Sequence, residues 1–479
     1  MPEILRPDLC VIGAGSGGLS VAAAAAMLGV PVVLVERDRM GGDCLNVGCV
    51  PSKALIAAGD RAQAAREAAA FGLNGLEPHA NYARVRDHVR SVIAAIAPND
   101  SEARFTALGV RVIKGEARFL DKETIVVGEV TVKARRFVVA TGSRPAVPPI
   151  PGLDGVPYLT NETVFDLTRR PERLIVIGAG PVGLELAQAH RRLGAEVVVL
   201  EAERALAHED PEIAAHALAA IRREGVTIRE AVRILRVETA GAGVRIVLAG
   251  AEEGEEIIDG SHLLVAAGRQ AVVDGLDLEA AGIATDKGGV ITDAGLRTTN
   301  RRVFAVGDCV GGPFAGYRFT HVANYHAGLV VRRALFRRAP NVDYATVPRV
   351  TYIDPEVASV GLLEEEARAR HGAIRVLRWP FAENDRAQAE RTTRGEVKVI
   401  VSRRGRILGC SIAGPRAGEL IVPWTLAVAR RLSVKDLAGI VFPYPTLSEV
   451  SRRAAMSFYA PLASSPWVRA LVGLLRRLG

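Results

Sequence analysis

The chain has 479 residues, 61 lysines and arginines against 53 acids, a net charge of +8 and only five cysteines. Its length predicts about three domains at roughly 150 residues each, and so few cysteines exclude a secreted disulfide scaffold. The basic residues are scattered rather than gathered into a stripe, which argues for a solvated arginine-rich surface and against nucleic acid.

The opening MPEILRPDLC has no basic stretch followed by an apolar one and a cleavage site, so no secretory leader is expected and the predicted location is cytoplasmic. The longest apolar stretch, Val21 to Val35, is too short to span a bilayer and is broken by Gly29 and Pro31. It reads as a helix, a turn and a strand. LCVIGAGSGGLSVAAAAAMLGVPVVLVE, Leu9 to Glu36, is then a strand, a GxGxxG turn, an alanine-rich helix and a second strand closing on an acid. Gly13 permits the tight turn, Gly15 lets a pyrophosphate approach the backbone, and Gly18 lets helix and strand pack closely. The helix N-terminus offers N–H groups to phosphate, and Glu36 is placed for a ribose diol.

GGDCLNVGCVPSK follows at 41–53. Its Cys44 and Cys49 read as a structural disulfide, a pair of buried thiols or a reaction centre. Pro51 suits the first turn of a helix, whose dipole would favour a thiolate at Cys49. Seven lysines against 54 arginines in the whole chain make Lys53 conspicuous beside them. KGEARF carries Gly115 and Ala117, FVVATGSRP runs a strand into a turn at Gly142, and PAVPPIPG reads as a linker.

LIVIGAGPVGLELAQAHRRLGAEVVVLE, Leu174 to Glu201, repeats the first unit with Gly178, Gly180, Gly183 and a closing Glu201. Glu185 stands where the first copy has Ser20. Two dinucleotide sites imply two nucleotides, with hydride traffic between a flavin and a nicotinamide as the economical pairing. Glu201, followed by Glu203, would bond a free 2′-hydroxyl and repel a 2′-phosphate, which favours NADH over NADPH despite the nearby Arg204. LLVAAGRQ and VFAVGDCVGG are further strands entering glycine turns, at Gly268 and beside Asp308; that aspartate could equally cap a helix. His321 lies in FTHVANYH at a helix start. Cys10 and Cys410 sit in apolar strands as core residues, and Cys309 is given no role. From about Val342 short strands and helices alternate, as in a separate α+β domain.

Taken together, GGDCLNVGCVPSK, GAGSGG, ATGSRP, GAGPVGLELA and VFAVGDC resemble, in order and spacing, the class I pyridine nucleotide-disulfide oxidoreductases, from Asp8 to about Ser457. That family includes dihydrolipoamide dehydrogenase, glutathione reductase and mercuric reductase. The resemblance implies an α/β fold with two Rossmann-like dinucleotide-binding domains, for FAD and NAD, and a C-terminal α+β dimerisation domain. The boundaries expected are 1–148 and 273–341 for the two parts of the FAD domain, 149–272 for the NAD(P) domain, 342–462 for the dimerisation domain and 463–479 for a basic amphipathic tail. It implies a homodimer in which electrons pass from NAD(P)H through FAD to a Cys44/Cys49 disulfide. Cys49 would face the flavin and Cys44 the substrate. Lys53 would lie near the flavin, paired with Glu185, and Asp308 would hold the ribityl chain. Gly115 and Ala117 would line the adenine, and His321 would approach the flavin pyrimidine. Gly142 falls with the FAD residues and Gly268 with the NAD residues. No resident metal site is expected.

One departure bears on the substrate. Disulfide reductases of this family carry HPTxxE near the C-terminus, with a histidine as acid-base residue oriented by the glutamate. Here the stretch is FPYPTLSE: Glu449 is kept and Tyr444 replaces the histidine. No histidine follows His371. A histidine titrates near ~6.5, whereas a tyrosine near ~10 is a poor base at neutral pH. Mercuric reductases also resemble this stretch in having tyrosine nearby, and hold Hg(II) at the inner thiol pair. Their C-terminal vicinal cysteines and N-terminal metal-binding module are not seen in this sequence. The predicted acceptor is therefore a small disulfide, a thiol-bound metal or a similar electrophile, in a mercuric-reductase-like reaction. The alternatives are a dihydrolipoamide dehydrogenase without its usual base, and a membrane-docked electron-transfer subunit. In the tail, Trp467, Leu471, Leu474 and Leu478 share a helical face, with Arg469, Arg476 and Arg477 elsewhere. Packing of that face on its own subunit is expected, with contact to an anionic membrane surface as the other reading.

Overall fold

The computed structural model describes residues 3–250, 254–315, 318–463 and 465–478, so Ser464 and Gly479 of the expected tail lie outside the described residues. The chain forms two compact units, one of Met1–Gly178, Ala189–Glu196 and Ile234–Val342, the other of Ala179–Gln188, Val197–Arg233 and Asp343–Gly479.

In the first unit a five-stranded parallel sheet runs in the order Val303–Ala305, Arg136–Val139, Leu9–Ile12, Val32–Glu36, Arg111–Lys114. Its central strands are apolar without alternation because both faces are covered, as a parallel sheet requires; Leu9–Ile12 and Val32–Glu36 are buried throughout. The stretch from Val21 folds as expected: a helix Ser16–Met27, a turn, then the strand Val32–Glu36. Arg173–Ile177 pairs in parallel with His262–Val265, and the strands Ile234–Ala240, Gly243–Ala249 and Glu255–Gly260 form an antiparallel sheet.

The second unit holds the parallel pairing of residues 197–200 with Val226–Arg229. It also holds an antiparallel five-stranded sheet ordered Arg349–Thr351, Glu356–Gly361, Ile407–Gly414, Glu396–Ser402, Ile374–Pro380. Helices Val422–Ala429 and Glu449–Met456 cover it, with Trp424 fully buried and its indole N–H donating to Ser451 Oγ at 3.0 Å. The chain passes from the first unit to the second between Val342 and Asp343.

Lys398, fully buried in the Glu396–Ser402 strand, reaches Asp210 and Glu212 at 2.7 Å and Glu364 at 2.9 Å. Burial pulls its pKa down, but the three carboxylates carry it above the ordinary lysine value. Glu212 is correspondingly held down at about 2, first by Lys398 and then by Arg378.

Candidate functional site

Gly13 takes φ +104°, and a side chain there would run into the Ala140 carbonyl, so only glycine suits the turn. The turn is fastened by its acid: Ala14 N–H donates to Glu36 Oε2 at 2.6 Å and Asp38 N–H to Oε1 at 2.8 Å. Gly15 caps the Ser16–Met27 helix without a side-chain hydrogen bond, leaving N–H groups directed outward. A Cβ on Gly15 would meet only the Gly42 Cα, at 3.9 Å, so the turn has room for a phosphate against its backbone. Gly115 N–H donates to the Glu36 carbonyl at 2.9 Å, which brings Gly115 and, two residues on, Ala117 beside the acid. These residues fit the adenosine pyrophosphate half of FAD.

Cys49 opens the helix Cys49–Glu67 and Cys44 lies in the short helix Gly42–Asn46, both as free thiols. Cys49 Sγ lies 3.3 Å from Thr320 Oγ1. Its pKa is lowered to about 6, first by a hydrogen bond from the Cys44 thiol, then by Thr320 and the charge of Lys53, against its own burial. Cys44 is pushed up by giving that hydrogen bond and by burial. The pair is thus a thiolate beside a proton-holding thiol. Lys53 stands one helical turn beyond Cys49, on the same side of the helix. His321 follows Thr320 at the start of the Thr320–Phe336 helix and stacks on Phe319, ring centres 5.2 Å apart.

A charge bridge runs alongside. Arg269 contacts Asp43 at 3.0 Å and donates to Ser143 Oγ at 2.7 Å, and Ser143 Oγ donates to Asp308 at 2.6 Å. Burial raises the Asp308 pKa, with Ser143 and Arg269 opposing. Gly142 and Gly268 flank the antiparallel pairing of Ser143–Pro145 with Arg269–Ala271 that aligns these groups. Gly307, before Asp308, donates its N–H to Nδ1 of His326 at 3.1 Å. His326 is buried and held near 4 by desolvation, so it is a neutral acceptor fixing the turn.

In the second unit the acid of the repeat does the same work as its counterpart. Ala179 N–H donates to Glu201 Oε2 at 2.7 Å and Glu203 N–H to Oε1 at 3.0 Å. A Cβ on Gly180 would meet nothing within 4 Å, leaving the turn open to a second pyrophosphate. Gly183 and Glu185 lie in the Pro181–Arg192 helix, and Glu185 Oε1 accepts from Tyr352 N–H at 2.9 Å. Gly178, in the first unit, has φ +107°. Tyr444 is 69% exposed, and its hydroxyl donates to Asp385 Oδ2 at 2.9 Å. That bond raises the phenol pKa above its ordinary value. Glu449 opens the helix Glu449–Met456, where its charge suits the helix N-terminus.

Sequence reasoning singled out Cys44, Cys49, Lys53, Asp308 and His321, and the fold brings their neighbours into view. It missed Thr320, which was signalled only by its place before His321. It also missed Asp43, inside the thiol motif, and Arg269, next to Gly268. Asp385, 59 residues from Tyr444, carried no signal at all. The tail expectation is corrected: its helix Pro466–Leu475 buries none of its residues, and Trp467 is 71% exposed. Leu471, Val472, Leu474 and Leu475 of its apolar face are exposed as well.

Two nucleotide-accepting glycine turns and a dithiol on a helix start define a flavin- and nicotinamide-linked oxidoreductase acting on sulfur. The chain belongs to the pyridine nucleotide-disulphide oxidoreductase family, whose main domain matches residues 7–327 and whose dimerisation domain matches residues 347–455. The family binds FAD and a pyridine nucleotide, and the dimerisation domain supports a homodimer. A mercuric reductase of Streptomyces lividans is 37% identical over 95% of this chain and 97% of its own. Dihydrolipoyl dehydrogenase 3 of Pseudomonas aeruginosa is 36% identical over 94% of this chain and 98% of its own. The crystal structure of LpdA from Mycobacterium tuberculosis superposes with a TM-score of 0.85 at 28% identity, covering 95% of this chain and 99% of that one.

Proposed function

We propose that the protein is a cytoplasmic, NADH-preferring reductase that delivers electrons through the Cys44/Cys49 pair to a thiol-reactive acceptor, a thiol-bound soft metal such as Hg(II) foremost. FAD, when bound, supplies the two-electron relay between nicotinamide and thiols. The domain boundaries given by the motifs are retained in this reading.

The residues divide the work. Gly13, Gly15, Gly18, Glu36, Gly115, Ala117 and Gly142 hold the FAD, with Asp308 on its ribityl chain and His321 near its ring. Gly178, Gly180, Gly183, Glu201 and Gly268 hold the nicotinamide coenzyme. Cys49 enters the reaction already deprotonated at neutral pH, and Cys44 releases its proton when the acceptor binds. Lys53 favours negative charge at Cys49. Tyr444 and Glu449 act on the acceptor side.

The observation that carries the choice of acceptor is the Tyr444–Asp385 hydrogen bond. A phenol that spends its proton on a carboxylate, and whose pKa rises in consequence, cannot serve as the base that dihydrolipoamide oxidation needs. Its oxygen keeps lone pairs to offer an electrophile. The runner-up, a dihydrolipoamide dehydrogenase, is favoured by the relatives of that name and disfavoured by this bond.

The test is anaerobic. NADH titration of the yellow protein is expected to raise a long-wavelength absorbance band that Cys49→Ser abolishes. The reduced enzyme is then challenged with Hg(II) in excess thiol, lipoamide and glutathione disulfide. Faster turnover of Hg(II) supports the proposal, and faster turnover of lipoamide overturns it.

A further inference from the structure

The Pro466–Leu475 helix lies beyond the residues the family covers. Around its axis, at 100° per residue, Leu474, Trp467, Leu471, Leu475, Val468 and Val472 fill one continuous arc, which Leu478 extends. Arg469 lies opposite, and Arg476 and Arg477 project there too. The apolar arc is open: Trp467 is 71% exposed, Leu474 56% and Leu475 53%. Six large side chains on a ten-residue helix make a contiguous patch of the kind that marks an interaction surface.

Charge identifies the occupant. Residues 450–479 contain five arginines, Arg452, Arg453, Arg469, Arg476 and Arg477, and no acidic residue. A protein groove that takes an amphipathic helix must match it side chain by side chain, whereas a lipid surface needs only an apolar depth and opposite charge. Trp467 favours the interfacial zone where ring and N–H meet different surroundings. At ten residues the helix is about 15 Å long, half the hydrocarbon thickness. Among the described residues no helix is long and apolar enough to cross a membrane. The helix would therefore lie in the plane of the surface.

We propose that the Pro466–Leu475 helix docks the protein onto an anionic lipid surface, its leucines and Trp467 in the acyl boundary and its arginines among the headgroups. Arginines near such a surface contribute about a fivefold gain in partitioning each, from about 1 kcal/mol apiece. The three on the tail thus supply on the order of a hundredfold.

The test sediments the full-length holoprotein with vesicles of phosphatidylcholine alone or mixed equally with phosphatidylglycerol. Light scattering of the protein alone records its oligomeric state. Pelleting is expected with the anionic vesicles only and is lost at high salt. Trp467→Phe should remove any accompanying fluorescence shift, Leu471→Glu/Leu475→Glu should abolish pelleting, and Arg469→Gln/Arg476→Gln/Arg477→Gln should weaken it on the order of a hundredfold. NADH-dependent turnover of a soluble acceptor should be the same in all of them, which separates this proposal from the reaction assigned above. Equal pelleting with both vesicle types, no pelleting with anionic ones, or full binding by the triple arginine variant overturns it. So does a change of oligomeric state in Leu471→Glu/Leu475→Glu without vesicle binding by the parent, which would make the helix a contact between copies.

Discussion

Thr320→Val tests how the thiol pair is poised. In the parent, Cys49 is lowered from an ordinary 9.0 to about 6. At pH 7 that is about ten thiolates per thiol instead of about one per hundred. Thr320 Oγ1 lies 3.3 Å from Cys49 Sγ, and valine keeps the shape while removing the hydroxyl. A hydrogen bond to a charged group is worth about 1.5–3 kcal/mol, so its loss moves the midpoint up by about one to two pH units. The assay is ultraviolet thiolate absorbance of the reduced protein against pH. Cys10, Cys309 and Cys410 are buried and their thiols are pushed up by desolvation, while Cys44 is pushed up by its bond to Cys49. A single titration below pH 8 therefore belongs to Cys49. A Thr320→Val midpoint identical to the parent's, or a Cys44→Ala change smaller than that of Thr320→Val, would refute the order of causes.

Lys398→Met should destabilise by about 3–5 kcal/mol, because buried Asp210 loses its cation; urea unfolding measures it, and a loss under 1 kcal/mol counts against the buried pair. The same cluster predicts acid sensitivity. Glu212 is depressed to about 2 and Glu364 is also lowered, so the parent gains stability that is complete above the unfolded carboxylate range near ~4.3 and lost as pH falls towards 2. In Lys398→Met that slope should flatten. Arg269→Met should lower FAD retention through gel filtration, since Asp43 and Asp308 lose the cation they share, and full retention would remove Arg269 from the site. Tyr444→His should gain oxidation of dihydrolipoamide, its imidazole kept near or above ~6.5 by Asp385; no gain would show that the missing base is not the only barrier.

Much of this was legible because it is local. A GxGxxG turn, its helix and its closing acid lie within 28 residues, and each part has a residue preference that survives in the sequence. The start of the helix at Cys49 was readable for the same reason. Asp385 and Tyr444 meet by tertiary folding, as do Arg269 and Asp43, and neither pairing leaves a periodicity. His321 drew notice for standing in a motif, while His326, five residues later, does the structural work unannounced. The tail was read correctly as amphipathic, but a pattern states only that one face wants cover, not whether the chain supplies it.

The carboxylates of Glu36 and Glu201 each already hold two backbone N–H groups of their own turns. The acid that would select the coenzyme is also a rivet of the loop that receives it. Engineering a preference for a 2′-phosphate by replacing Glu201 would release the Ala179 and Glu203 amides together, loosening the platform along with the specificity. Redesign has a safer handle in the side chain of Glu203, which can change sign while the rivet stays in place.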